Sequence, residues 1–194
     1  MFKSGLQIAL LIAATLVLLI APVMFFVFAS ARPELAAAAA AYGSSASCTE
    51  PAERGLPRPA QPVPDSMRNG TPCAVAGAMV TEKDTLSQGV GGLTRYVLGL
   101  RTDAGAEFLP TLDGASAAAF WNSVQAGDRV LVQTFHGHAA LVGDGTLTVT
   151  TDENPSAAAR TNATDLWVAG GLSALELIAV GMFAIWRRRS AASP

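Results

Sequence analysis

Residues Leu166–Trp186 read LWVAGGLSALELIAVGMFAIW, and Arg187, Arg188 and Arg189 follow without a break. Glu176 is the only charged residue in that run. A helix rises about 1.5 Å per residue, so a stretch of this length crosses a hydrocarbon core of roughly 30 Å. At the other end of the chain, Leu6–Phe28 reads LQIALLIAATLVLLIAPVMFFVF and carries no charge at all. The two runs predict two transmembrane helices, residues 6–28 and 166–186, with everything between them held as one long loop.

Basic residues beside a span stay on the cytoplasmic side. Arg187, Arg188 and Arg189 therefore place the tail, residues 187–194, in the cytoplasm, and Asp165 sits at the opposite end of that span. Lys3 and the amino terminus do the same for residues 1–5. Residues 29–165 are then extracytoplasmic and the protein is a multi-pass protein of the cell membrane. Trp167 and Trp186 fall near the two ends of the second span, at the depth indole rings favour. A competing reading makes the first run a signal peptide cleaved after Ala31, because Ala29-Ser30-Ala31 has the small-x-small form. The run is longer than the roughly 7–15 apolar residues of a signal core, which argues for retention. Either way the middle domain lies outside.

That middle region, residues 30–164, carries nine Lys/Arg against thirteen Asp/Glu, dispersed without runs. A mildly acidic, mixed surface excludes the basic patch that nucleic acid requires. The whole chain is close to neutral, with a net charge of −2. Cys48 and Cys73 are the only cysteines, and both lie in the segment assigned to an oxidising compartment. They are expected to form a disulfide, closing a loop of about 25 residues and contributing about 3 kcal/mol through loop-closure entropy.

Residues 29–72 read as a linker, alanine-rich and then proline-rich. Ala36–Ala41 extends the first helix, alanine being the best helix former. Six prolines between residues 49 and 72, with few large apolar side chains, read as an extended segment lying on a surface. From Cys73 to Pro155 the texture is that of short strands. Strands are expected at Cys73–Thr81, Thr94–Arg101, Glu107–Leu112, Arg129–Phe135, Ala139–Val142 and Thr146–Thr150, with glycine-rich turns between them. Ser116–Gln125 breaks the alternation and reads as a short helix with Ser116 as its cap and Phe120 and Trp121 packed on the sheet. Residues 156–165 are a tether into the second span. The fold class is two transmembrane helices flanking a small mainly-β extracytoplasmic domain, an OB-like or SH3-like barrel with one short helix.

Phe120-Trp121, Gly127-Asp128-Arg129-Val130 and Asp144-Gly145 through Pro155, set in this two-helix frame, resemble uncharacterised two-pass membrane proteins of high-GC actinobacteria with an extracytoplasmic β domain. The resemblance implies fold and location; it brings no activity with it.

Chemistry-bearing residues are few. His136-Gly137-His138 is the one histidine pair; in a continuing strand the two imidazoles project to one face about 7 Å apart, a spacing that suits a shared metal. A zinc site needs a further ligand, for which Asp128 or Asp144 are the candidates. Against this stands a glycine-centred turn with both imidazoles in water. Glu176 lies at the midpoint of its span, where an ionised carboxylate costs roughly 2.5–3.5 kcal/mol on insertion scales. Such a residue reads by default as a contact with another helix, and Gly170 and Ala174 have the small-xxx-small spacing that lets helix backbones approach. The plainer alternative is a protonated acid bonded to nearby backbone or to Thr15. Gly89-Val90-Gly91-Gly92 lacks the lysine of a phosphate loop. Ser66, Ser87, Ser116 and Ser123 lack an elbow sequence. No catalytic residue and no cofactor is therefore expected. The reading is a non-enzymatic membrane protein whose partners are the lipid bilayer and a membrane protein or a second copy of itself. The alternative is a metal-binding or metal-sensing envelope protein using His136 and His138.

Overall fold

The strand Arg129–Phe135 (β5) is apolar on both faces, and that property organises the domain. Val130 and Val132 point one way, Leu131, Gln133 and Phe135 the other, and all five are buried. A strand buried on both sides needs a layer over each. The computed structural model of the chain describes residues 2–61, 63, 65–87 and 94–191, with side chains between residues 20 and 182 except Ser66 and Ser87. Gly89-Val90-Gly91-Gly92 lies outside the described residues. The chain divides into two compact units, Met1–Pro33 with Arg160–Pro194, and Glu34–Ala159.

In Glu34–Ala159 the strands are β1 (Cys73–Ser87), β2 (Thr94–Thr102), β3 (Glu107–Phe108), β4 (Thr111–Asp113), β5, β6 (His138–Gly143) and β7 (Thr148–Thr151). Each pairs antiparallel with its neighbours in the order β1-β5-β6-β7-β4-β2-β3, and β1 also pairs with β2. That last pairing closes six strands into a barrel and leaves β3 as a short flap on β2. Closure removes most of the open sheet edge that otherwise invites aggregation, leaving the part of β1 that outruns β5. The single strand expected at Glu107–Leu112 is two, because Pro110 has no N–H to give the ladder. β1 runs to Ser87, well beyond the expected Thr81. A bulge between Val80 and Glu82 lets it bend there, and Gly99 on β2 takes the bulge closely. A Cβ at Gly99 would lie 2.7 Å from the Thr81 hydroxyl oxygen.

The inner layer is Ala78, Val80, Leu98, Leu100, Leu112, Val130, Val132, Val142 and Val149, joined by Ala117 and Phe120 of the helix Ala117–Ser123 (α4) and by Val124 just past its end. Ser116 does not cap α4: its side chain makes no capping bond and its backbone is already helical. The far end is held instead by Lys83, whose Nζ donates to the Val124 carbonyl at 2.6 Å and lies 4.1 Å from the centre of the Trp121 ring.

The outer layer comes from the stretch expected to be a linker. It contains two helices, α2 (Ala46–Arg54) and α3 (Asp65–Arg68), rather than extended chain throughout. Its few apolar side chains are the ones that matter. Leu56 buries against Val75, Leu131 and Leu141, with Val63 and Met67 partly buried beside it. Leu56 N donates to Thr148 Oγ1 at 2.9 Å, and the next residues press on the β6–β7 turn. Gly145 there has φ +87°, and a Cβ on it would lie 2.7 Å from the Arg58 backbone nitrogen. Only glycine serves at that position, by conformation and by space.

The first long helix, α1, spans Phe2–Ser44, and the last, α5, spans Pro155–Ala191. Residues 156–165 are thus helical from the start. Asn154 begins α5 by accepting the N–H groups of Ser156 at 3.0 Å and Ala157 at 3.3 Å, with Pro155 at the first helical position. Both helices are long and apolar enough to cross a membrane. They are not core helices. Phe26 is 72 % exposed and Leu177 74 %, with Val23, Leu175 and Ile178 also open. Between the two, in the unit that holds both, Asn162 Nδ2 donates to the Phe28 carbonyl at 3.2 Å.

Candidate functional site

Two parts of the barrel surface differ in kind. The outer faces of β1, β5 and β6 are covered, and at the centre of the cover sits a buried polar side chain, Gln133. Its Oε1 accepts the Tyr42 hydroxyl at 2.7 Å, and its Nε2 donates to the carbonyls of Ser47 and Cys48, each at 3.1 Å. One of these bonds has a sequence cause. In α2 the Ser47 carbonyl would receive the N–H of residue 51, but that residue is Pro51, which has none. Gln133 supplies the missing donor from the sheet. Burial pushes the Tyr42 phenol above its ordinary value, with the Asn154 side chain opposing.

Around this junction Cys48 and Cys73 are bonded, fully buried, and packed with Tyr42, Phe135 and Ala140. The tie expected from the sequence is present. Phe135, Tyr96 and Phe108, the aromatic residues one would look for on a ligand-binding sheet face, are turned in instead. Phe135 is 6 % exposed and stacks edge-on with Tyr42 at 5.5 Å, while Tyr96 and Phe108 pack against the inner core.

His136 and His138 are not on one continuing strand. His136 (φ 49°) and Gly137 (φ 87°) are the two central residues of the β5–β6 turn, and His138 is the first residue of β6. His138 Nδ1 lies 4.0 Å from Glu153 Oε2, and both imidazoles are exposed. Neither Asp128 nor Asp144 joins them: Asp128 accepts from the Gln125 N–H, and Asp144 accepts from Thr146 and Leu147. Among the described residues no three His, Cys, Asp or Glu side chains converge on a metal-sized site.

Asp144 is a structural acid. Burial pushes its carboxyl up, but the Thr146 hydroxyl, the Leu147 and Thr146 amides and the Ser123 hydroxyl outweigh this and hold it below its ordinary value of 3.8. The folded carboxyl thus titrates below the unfolded one. Its contribution is complete above the unfolded value and fades as pH falls through the folded one. Replacing Asp144 with Asn is expected to flatten the acid limb of a melting-temperature profile below pH 3.8 and leave its neutral shape unchanged.

In the unit built from Met1–Pro33 and Arg160–Pro194, Gly170 packs on the Phe25 ring, where a Cβ would lie 3.4 Å from it. Ala174, its partner in the small-xxx-small pair, is exposed. Glu176 Oε1 is shielded from solvent and meets no hydrogen-bond partner among the described residues. Arg187, Arg188 and Arg189 lie within α5, their side chains outside the described set. Ser66 and Ser87 have side chains outside the described set, while Ser123 Oγ donates to the Phe120 carbonyl at 2.8 Å and to Asp144 at 3.3 Å. That is a turn contact, with no base beside it.

The second part of the surface is uncovered. β5 pairs with β1 only from Cys73 to Met79, and past the bulge β1 pairs with β2 alone as far as Ser87. Thr81–Ser87 is therefore a ribbon edge without a partner strand among the described residues. Met79 is 44 % exposed, Leu86 50 % and Leu109 64 %, all on the β1–β2–β3 side. No protein-family model, curated protein or solved structure matches the chain. The site must accordingly be read from its own chemistry. Sequence patterning missed this surface because the first strand was expected to end at Thr81, which left Leu86 outside any strand; only the closure of β1 on β5 and β2 shows where β1 outruns its neighbour.

Proposed function

We propose that the protein is an integral membrane protein presenting a small extracytoplasmic β domain to a protein partner, or holding a membrane complex together, and that it is not an enzyme. The barrel is OB-like or SH3-like in size, with one strand more than the five of an OB fold. Both termini are cytoplasmic and residues 29–165 extracytoplasmic on this reading. Arg187, Arg188 and Arg189 beyond the second span support that sidedness, as does a disulfide in the middle domain.

The observation that carries the reading is the edge of Thr81–Ser87 that faces away from β2, which has no partner strand among the described residues, with Leu86 exposed on it and Met79 and Leu109 exposed further along β1 and after β3. Unpaired strand edges offer backbone N–H and C=O groups to an added strand, and neighbouring apolar side chains supply specificity. A photo-reactive residue placed at Leu86 or Leu109 of the full chain, in native membranes, is expected to yield one discrete protein adduct. The same probe at Glu53, exposed on the outer side of α2, is expected to yield none. Adduct smears at all three positions, or adducts at none, would count against an interaction surface here.

A further inference from the structure

Between α1 and α5 runs a crevice of about 440 Å³, lined from α1 by Ile20, Met24 and Phe28 and from α5 by Asp165, Val168 and Leu172. Its walls are hydrocarbon except at the Asp165 end. At about 100° per residue, Asp165, Val168, Leu172 and Glu176 lie on one stripe of α5. Asn162, Ser173 and Gly170 lie further round the helix, and two of them have contacts there: Asn162 with the Phe28 carbonyl and Gly170 with Phe25. Glu176 lies one turn beyond Leu172 on the same stripe, past the crevice's lining, and its Oε1 is shielded by the chain itself and unbonded among the described residues.

Building on the membrane reading above, we propose that the occupant is a second copy of this chain, its α1–α5 pair seated in the crevice about a twofold axis along the helices. Acyl chains fill grooves, but they offer nothing to a carboxyl group, and water is scarce at that depth. The group that meets Glu176 must be polar and at the same height. A twofold axis along the helices brings equal heights together, so it places Glu176 of one copy against Glu176 of the other. A protonated carboxyl both donates and accepts, which makes the pair self-complementary. The outer end of the crevice fits the same occupant. Asp165 lies there, and Arg160 and Arg32 are exposed slightly further out, none of the three in an ion pair among the described residues. Across the axis the arginines of one copy reach the aspartate of the other.

The test is oxidative cross-linking of the full chain in its own membranes, the native cysteines being already bonded to each other. Leu172→Cys, on the stripe, is expected to give a disulfide-linked homodimer, and Ala174→Cys, about half a turn away, none. Adding Glu176→Leu to Leu172→Cys is expected to lower the dimer roughly three- to thirty-fold, the range interhelical hydrogen bonds span. Glu176→Gln, whose amide also donates and accepts, is expected to retain it. Equal linking at both cysteine positions, linking to a different polypeptide, no linking at all, or indifference to Glu176→Leu would each overturn the proposal. Alkaline carbonate extraction of the same membranes tests anchoring by itself. A retained but monomeric chain defeats the dimer and leaves the membrane reading standing; a released chain defeats that reading first.

Discussion

Replacing Cys48 and Cys73 together with alanine is expected to lower the unfolding free energy of the β domain by about 3.5 kcal/mol, the loop-closure value for their separation of 25 residues. For a domain of this size that is a fall of roughly 10–15 °C in melting temperature, read by near-ultraviolet circular dichroism of the full chain in mild detergent. The location of the bridge makes the loss local as well as global. It ties α2 to the first residue of β1, and both cysteines are fully buried beside Tyr42, Phe135 and Ala140. Without it, the covering layer of residues 38–67 keeps Leu56 and the Gln133 bonds as its chief anchors to the barrel. Trimming of that segment by an added protease is therefore expected to precede loss of the barrel signal. Simultaneous loss of both signals would mean that cover and barrel unfold as one cooperative unit. Because both sulfurs are shielded, reduction of the intact protein is expected to be slow and to speed up with denaturant.

Much of the barrel was legible in the chain because alternation is a local property. Arg129–Phe135 is a strand in both accounts, and the Gly143-Asp144-Gly145 turn lies where its composition puts it. Apart from the Cys48–Cys73 bond, which two lone cysteines give by count, what depended on distant residues was not legible. Pro110 breaks a strand only because β2 must pair on both sides of it, with β3 at Leu100 and Arg101 and with β4 at Tyr96 and Val97. The proline-rich stretch reads as bare linker when apolar residues are counted, since it has so few. Leu56, Val63 and Met67 are nonetheless enough, because the outer faces of Val75, Leu131 and Leu141 await them. A strand hydrophobic on both faces was the available signal that a cover exists. His136 and His138 were legible as one of two readings: the central glycine allowed a turn with both imidazoles in water as well as a continuing strand, and the turn is what forms. Glu176 was legible as an anomaly by composition alone, while the crevice one turn away from it needed both helices.

The covering layer also explains why a polar residue occupies the middle of an apolar strand. Gln133→Leu preserves volume and β-propensity, and by hydrophobicity alone it would stabilise. It is expected instead to destabilise by about 2–4 kcal/mol, because it strands two buried groups, the Tyr42 hydroxyl and the Ser47 carbonyl, each worth about 1–3 kcal/mol when left unpaired. The Cys48 carbonyl is the lesser loss, since the helix offers it the Ala52 N–H. Pro51→Ala then becomes the informative partner. In the parent chain it restores an N–H that the Ser47 carbonyl, already bonded to Gln133, has little need of, and the change is expected to be small. In the Gln133→Leu background the same N–H is the helix's own donor for the Ser47 carbonyl, and Pro51→Ala is expected to recover about 1 kcal/mol. Chemical denaturation of the four proteins measures the coupling. If Pro51→Ala changes stability equally in both backgrounds, the glutamine does not stand in for the helix's missing donor, and its place in the strand must come from Tyr42 alone.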